Sequence, residues 1–327
     1  MPVVSSSYRA PAWLRGGHLQ TIVPALFRRV PRVTKRRERI ELPDGDFLDL
    51  DWATSGSDRL VILSHGLEAD SGATYIQGMA GALQRRGWDV LAWNYRGCGG
   101  ESNRLLKFYH SGASDDLDHV VRHALAVHGA TRVDLVGFSL GGNMTLKYLG
   151  EREVAPRLHR AVAFSVPCDL ACSSVRLSSP VNRHIYMRRF LVSLRKKLAE
   201  KRPRFPDQID LRGAWKIRDF RGFDDRFTAP LHGFKDAADY WERSSSRPFL
   251  GRIAIPALLV NAANDPFLGP GCFPREEAEG SGLFHLEVPE DGGHCGFLHG
   301  GAESWAEIRA AEFLAGEALR KPPEQGC

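Results

Sequence analysis

Val133-Asp134-Leu135-Val136-Gly137-Phe138-Ser139-Leu140-Gly141-Gly142-Asn143 is the stretch on which the rest of the chain is organised. A short apolar, β-leaning run leads into Gly137-Phe138-Ser139-Leu140-Gly141, and a helix-compatible segment from Met144 to Leu149 follows. The pattern predicts a strand, a sharp turn and a helix, with a serine at the turn. Such a turn holds Ser139 in strained backbone geometry and lifts its hydroxyl clear of the sheet edge. Neighbours two residues either side must then be small, and Gly137 and Gly141 are. The start of the helix aims amides and positive dipole at the place where an oxyanion would form. In a chain with 33 glycines the five-residue pattern is weak by itself. Its meaning depends on the strand before it, the helix after it and the partners downstream.

Outward from this stretch, strands and helices alternate. Arg37 to Leu42 and Phe47 to Trp52 flank Pro43-Asp44-Gly45-Asp46, which predicts a β-hairpin. Leu60 to Leu63 reads as a buried strand, Tyr75 to Arg86 as a helix stopping at Gly87, and Asp89 to Trp93 as a strand. Ser114 to Val127 reads as a helix with Ser114 as N-cap and Asp115 and Asp116 in its first turn. Arg132 to Val136 is the nucleophile strand and Arg160 to Ser165 the next. Ala257 to Val260 and Phe284 to Val288 supply two more, and Ser304 to Leu319 a closing helix before a tail at Lys321 to Cys327. Alternation of this kind predicts an α/β fold: a mostly parallel sheet of about eight strands, helices on both faces, opened by an antiparallel hairpin. Ligands in such sheets bind at the carboxyl ends of the strands.

Three regions follow. Residues 1–33 are expected to form an irregular or short helical arm, anchored by Trp13, Leu14, Ile22, Val23, Leu26 and Phe27. Residues 34–167 and 249–327 form the sheet-bearing core. Residues 168–248 interrupt the alternation and read as an inserted helical cap. From Cys168 to Phe205 the cap carries a local charge of +8, which reads foremost as a solvated face and secondarily as attraction for anions or a membrane surface. Phe220, Phe223, Phe227, Phe234, Tyr240 and Trp241 read as cap core ahead of a substrate pocket.

Composition narrows the classes. The 327 residues are 43% hydrophobic, enough for a sizeable core, and the net charge of +5 is too mild to argue for nucleic acid. Six cysteines (Cys98, Cys168, Cys172, Cys272, Cys295, Cys327) show no paired spacing that suggests zinc or a disulfide framework. With no signal-peptide pattern and no apolar run of the roughly 20 residues a membrane helix needs, a cytoplasmic protein is expected.

A serine hydroxyl is a weak nucleophile until a base takes its proton. Of 12 histidines, His294 stands out within Asp291-Gly292-Gly293-His294-Cys295-Gly296-Phe297, a glycine-flanked loop after the last strand. His299 is expected to point elsewhere. The orienting carboxylate is assigned to Asp265, in Asn264-Asp265-Pro266 after the preceding strand, ahead of Glu290 and Asp291. The order Ser, Asp, His is the one such folds use. The oxyanion amides are assigned to Leu140 and to Leu67, within Ser64-His65-Gly66-Leu67-Glu68, and His65 is read as a loop brace. Activity is expected to rise as His294 deprotonates, around pH 6 to 7 for an unperturbed imidazole.

These residues resemble the α/β-hydrolase superfamily, and within it the YheT-like branch, also called AB hydrolase family four. The resemblance is carried by Trp13-Leu14, Gly17-His18-Leu19-Gln20-Thr21, Pro43-Asp44-Gly45, His65-Gly66-Leu67-Glu68 and Asn94-Tyr95-Arg96-Gly97-Cys98. It continues through Gly137 to Asn143, the stretch from Arg226-Phe227-Thr228 to Tyr240, Asn264-Asp265-Pro266 and Gly292-Gly293-His294. It implies a cofactor-free serine hydrolase of carboxylic esters with no metal, acting on small-molecule or lipid-derived substrates. Relatives include esterases, phospholipases and ester-forming acyltransferases. Eukaryotic relatives often begin with a membrane anchor, a pattern not seen here. Two alternatives stand beside the esterase: an alcohol O-acyltransferase using the same acyl-enzyme, and a non-catalytic scaffold on the same fold. Oligomeric state is left open.

Overall fold

The computed structural model describes residues 3–317; the expected tail from Lys321 to Cys327 lies outside them. Their strands form one sheet of nine in the order β1-β9-β8-β7-β6-β4-β5-β3-β2. The strands are β1 (Val3–Val4), β2 (Arg36–Glu41), β3 (Phe47–Ala53), β4 (Arg59–Ser64), β5 (Asp89–Asn94), β6 (Arg132–Phe138), β7 (Leu158–Phe164), β8 (Ala257–Val260) and β9 (Phe284–Glu287). Only β3 runs against its neighbours, so the sheet is mostly parallel with the expected hairpin at one edge. The ninth strand is β1, inside the arm read as irregular or helical. Two valines pair with Leu286 and Glu287, too short a run for a periodicity to reveal.

The period of two along each strand sorts side chains onto two faces. Leu60, Ile62, Leu135, Ala161 and Leu259 join one core cluster, which also holds α3 (Ser114–Val127) and α4 (Leu140–Glu151). Val61, Leu63, Val136, Val162 and Val260 join the other, with α2 (Thr74–Gln84) and α9 (Trp305–Ala315). Both faces of the central strands are therefore buried, as a parallel sheet requires.

Two helix ends differ in kind. Ser304 caps α9 with a reciprocal capping box to Glu307. Ser114 was expected to cap α3 and does not. Ala113 occupies the cap position, and the Ser114 hydroxyl, instead of accepting from a helix amide, donates to the charged Glu151 carboxylate at 2.6 Å.

The arm contributes α1 (Gly17–Phe27). Leu14 is buried there as expected, but Trp13, Leu26 and Phe27 are exposed rather than anchored. Between β7 and β8 the chain leaves the sheet and builds α5 (Leu170–Leu177), a π-turn at Arg183–Met187, α6 (Arg188–Lys201) and α7 (Ala237–Ser244). The basic stretch here is not uniformly solvated: Lys197 turns inward to Glu68, and Lys201 is fully buried against backbone carbonyls of Leu105 and Lys107. The short helix α8 (Arg275–Glu279) joins β8 to β9. Among the described residues, no helix is long and apolar enough to cross a membrane.

Candidate active site

Ser139 sits between β6 and α4 with φ 52° and ψ −120°, a conformation a non-glycine residue adopts at a cost of about 1–3 kcal/mol. Its amide donates to Phe164 O at 2.8 Å and its carbonyl accepts from Asn143 N at 3.0 Å, so the turn is tied down on both sides. Gly137 and Gly141 are small for a steric reason. A Cβ on Gly137 would lie 2.6 Å from Gly141 O, and one on Gly141 would lie 2.6 Å from the Tyr95 hydroxyl and closer to the carbonyls of Ser64 and His65.

The loops after β8 and β9 converge on the serine. His294 Nε2 is 2.9 Å from Ser139 Oγ, and His294 Nδ1 is 2.9 Å and 3.2 Å from the two Asp265 carboxylate oxygens. Asp265 is buried and its Oδ1 also accepts from Phe267 N at 2.8 Å, which fixes the carboxylate plane. The Phe267 ring stacks on the imidazole at 4.0 Å between centroids and shields the Asp265 pair from solvent. Burial pulls the His294 pKa down; the Asp265 carboxylate, helped by Cys295, more than reverses this and leaves it raised above 6.5. The unperturbed value expected from sequence is thus corrected upward.

On the other side of Ser139 lies the loop after β4. A Cβ on Gly66 would meet Ser139 Cβ at 3.3 Å, which places the Gly66–Leu67 backbone directly beside Ser139. The amides of Leu67 and Leu140 donate no hydrogen bond among the described residues, and both residues line the same cavity as Ser139 and His294. His65 braces this loop: Nδ1 lies 2.8 Å from Gly66 O, and its ring packs at 3.7 Å from that of Tyr95. Burial lowers its pKa to about 3, so it is neutral. His299 is exposed.

The cavity has a volume of about 790 Å³. Its walls are largely apolar, with Leu170, Leu177, Phe190 and Phe220 from the segment between β7 and β8. The aromatics read as cap core divide: Phe223 and Phe227 are buried in packing, whereas Phe220, Tyr240 and Trp241 line the cavity.

Several contributions were not foreseen. Gln20 and Thr21, on α1, reach into both loops. Gln20 Oε1 accepts from Asn264 Nδ2 at 2.9 Å and from Gly292 N at 2.7 Å, and Thr21 Oγ1 accepts from His294 N at 2.9 Å. Asn264 Nδ2 also donates to Asp291 at 2.7 Å. Glu68 accepts from Tyr109 and from Ser193 and pairs with Lys197. The adjacent polar pair Gln20-Thr21 in a largely apolar helix was the available signal.

Comparison with known proteins agrees with this architecture. The α/β hydrolase fold model matches residues 59–301. "Putative esterase YheT" of Escherichia coli (strain K12) is 36% identical, over 91% of this chain and 89% of that protein. Human "Phospholipase ABHD3" is 29% identical, over 91% of this chain and 75% of that protein. An esterase of Pyrococcus furiosus, Pf2001, superposes with a TM-score of 0.59 at 18% identity, covering 96% of this chain and 97% of that one. By the family match and the shared length with YheT, this chain belongs to the α/β-hydrolase fold family, in its YheT-like branch.

Proposed function

We propose that this protein is a serine hydrolase of carboxylic esters, with Ser139 as nucleophile, His294 as general base and then acid, and Asp265 as the group that fixes the imidazole tautomer. The observation that carries the reading is the 2.9 Å separation of Ser139 Oγ and His294 Nε2, with Asp265 on the opposite ring nitrogen. His294 takes the hydroxyl proton as Ser139 Oγ attacks the ester carbonyl. The tetrahedral oxyanion is held by the Leu67 and Leu140 amides, aimed at it before the reaction starts. The alcohol leaves with the proton from His294, and the same imidazole then activates water to release the acid. The names of YheT and ABHD3 support an ester, small-molecule or lipid-derived, as substrate. The segment 168–248 serves as a cap whose apolar side chains receive the acyl chain. The test is a p-nitrophenyl ester series from short to long acyl chains on wild type beside Ser139→Ala. Hydrolysis by wild type and its loss in the variant are expected; turnover of Ser139→Ala near wild type would overturn the reading.

A further inference from the structure

α1 is built inside out. It buries Gln20 and Thr21 and leaves Leu19 50%, Leu26 60% and Phe27 70% exposed. The polar residues are accounted for by the loops they brace; the outward apolar residues are not, because a helix that met only water would carry polar side chains there. The exposed residues continue onto the neighbouring segment. His18 Nδ1 lies 3.0 Å from Tyr186 Oη and the two rings stack at 5.8 Å, so α1 abuts the π-turn that leads into α6. Ile185 in that turn is 42% exposed, and Val181 just before it 55%. Leu26 and Ile185 are exposed and also line the cavity, so this apolar face adjoins it.

The rim is basic. Arg29, Arg183, Arg188 and Arg189 are exposed, and none has a carboxylate partner among the described residues. Some surface arginines are paired, as Arg85 and Arg86 are with Glu303; these four are not and leave their charge next to the apolar face. An apolar face with unneutralised arginines round it is the pattern of a surface that inserts shallowly into a bilayer while its charges meet anionic headgroups.

We propose that the face made by α1 and the start of α6 docks on an anionic lipid surface, with the cavity mouth opening onto it. Docking removes Leu19, Leu26 and Phe27 from water and satisfies the arginines by charge. An acyl ester could then enter the cavity without crossing water. This goes beyond the esterase reading and is measured without turnover, so the failure of either is distinguishable from the failure of the other.

The test is cosedimentation of the full chain with phosphatidylcholine vesicles, with and without a minor share of phosphatidylglycerol, at low and high salt. Binding to the anionic vesicles, reversed by salt, is expected. Leu19→Ser combined with Phe27→Ser should weaken partitioning at least tenfold and leave hydrolysis of a soluble short ester unchanged. Arg183→Gln combined with Arg188→Gln should weaken it about fivefold per arginine. Circular dichroism melts matching wild type establish that both variants fold. Three outcomes would overturn the proposal: no binding of wild type to anionic vesicles, binding by both variants equal to wild type, or a wild-type dimer in analytical ultracentrifugation that the Leu19/Phe27 variant converts to monomer, which would assign the face to a second copy.

Discussion

Lys197 Nζ, on α6, lies 2.9 Å from Oε1 of Glu68, the residue that follows Leu67 in the proposed oxyanion loop. Glu68 holds φ 54°, and Tyr109 Oη and Ser193 Oγ donate to its carboxylate as well. A helix from the segment between β7 and β8 is thereby fastened to the backbone beside Ser139. Glu68 is nearly buried, so removing its cation leaves a charge without compensation. Lys197→Met should destabilise the fold by about 3–5 kcal/mol in chemical denaturation. Glu68→Gln removes the charge and turns one of the two acceptor oxygens into a donor, so it should loosen the same loop and lower kcat more than it changes KM. Equal stability of Lys197→Met and wild type would show that the pair does not fasten the loop.

The pH profile should carry the mark of Asp265. A base acts only when deprotonated, so kcat/KM climbs as pH rises through the His294 pKa. Because Asp265 raises that pKa despite burial, the limb should lie above the 6 to 7 window of an ordinary histidine. Asp265→Asn removes the carboxylate, so the limb should shift to lower pH and the plateau rate fall about 10⁴-fold. A limb that does not move between wild type and Asp265→Asn would rule this account out.

Gln20 is expected to act at a distance through the loops it joins. Gln20→Ala leaves the amide of Gly292 and one of the Asn264 donors without their acceptor, at a cost of about 1–3 kcal/mol. His294 would then lose part of its orientation, so kcat should fall several-fold while KM changes little. A thermal melt and a substrate titration read the two effects separately. Loss of stability with kcat intact would make Gln20 purely structural.

At Gly141 the constraint is steric. Gly141→Ala drives a methyl into carbonyls of Ser64 and His65, which belong to backbone and cannot rotate away. About 1–3 kcal/mol of destabilisation is expected from the overpacking. Activity should fall more than stability, because the atoms displaced adjoin the proposed oxyanion loop. Wild-type kcat in a folded Gly141→Ala protein would contradict the close approach described here.

Local pattern alone determined a good deal of this protein. Short, near-continuous apolar runs such as Leu60 to Leu63 and Ala257 to Val260 announced buried strands, and the glycines around Ser139 announced a turn that excludes side chains. Ser139, Asp265 and His294 were legible because each follows a recognisable strand, and strands of one parallel sheet end at one edge. The hairpin was legible from Asp44-Gly45. Other features exist only once distant segments meet. The buried polar pair Gln20 and Thr21 has meaning only against loops more than 200 residues away, and β1 is a strand only because β9 offers it a free edge. The inward turn of Lys197 depends on a carboxylate waiting on another element. The elevated His294 pKa belongs to the same class, since it is set by a carboxylate 29 positions earlier that folding brings within hydrogen-bonding distance. Periodicity reports what a residue faces; only the assembled chain decides what is there to be faced.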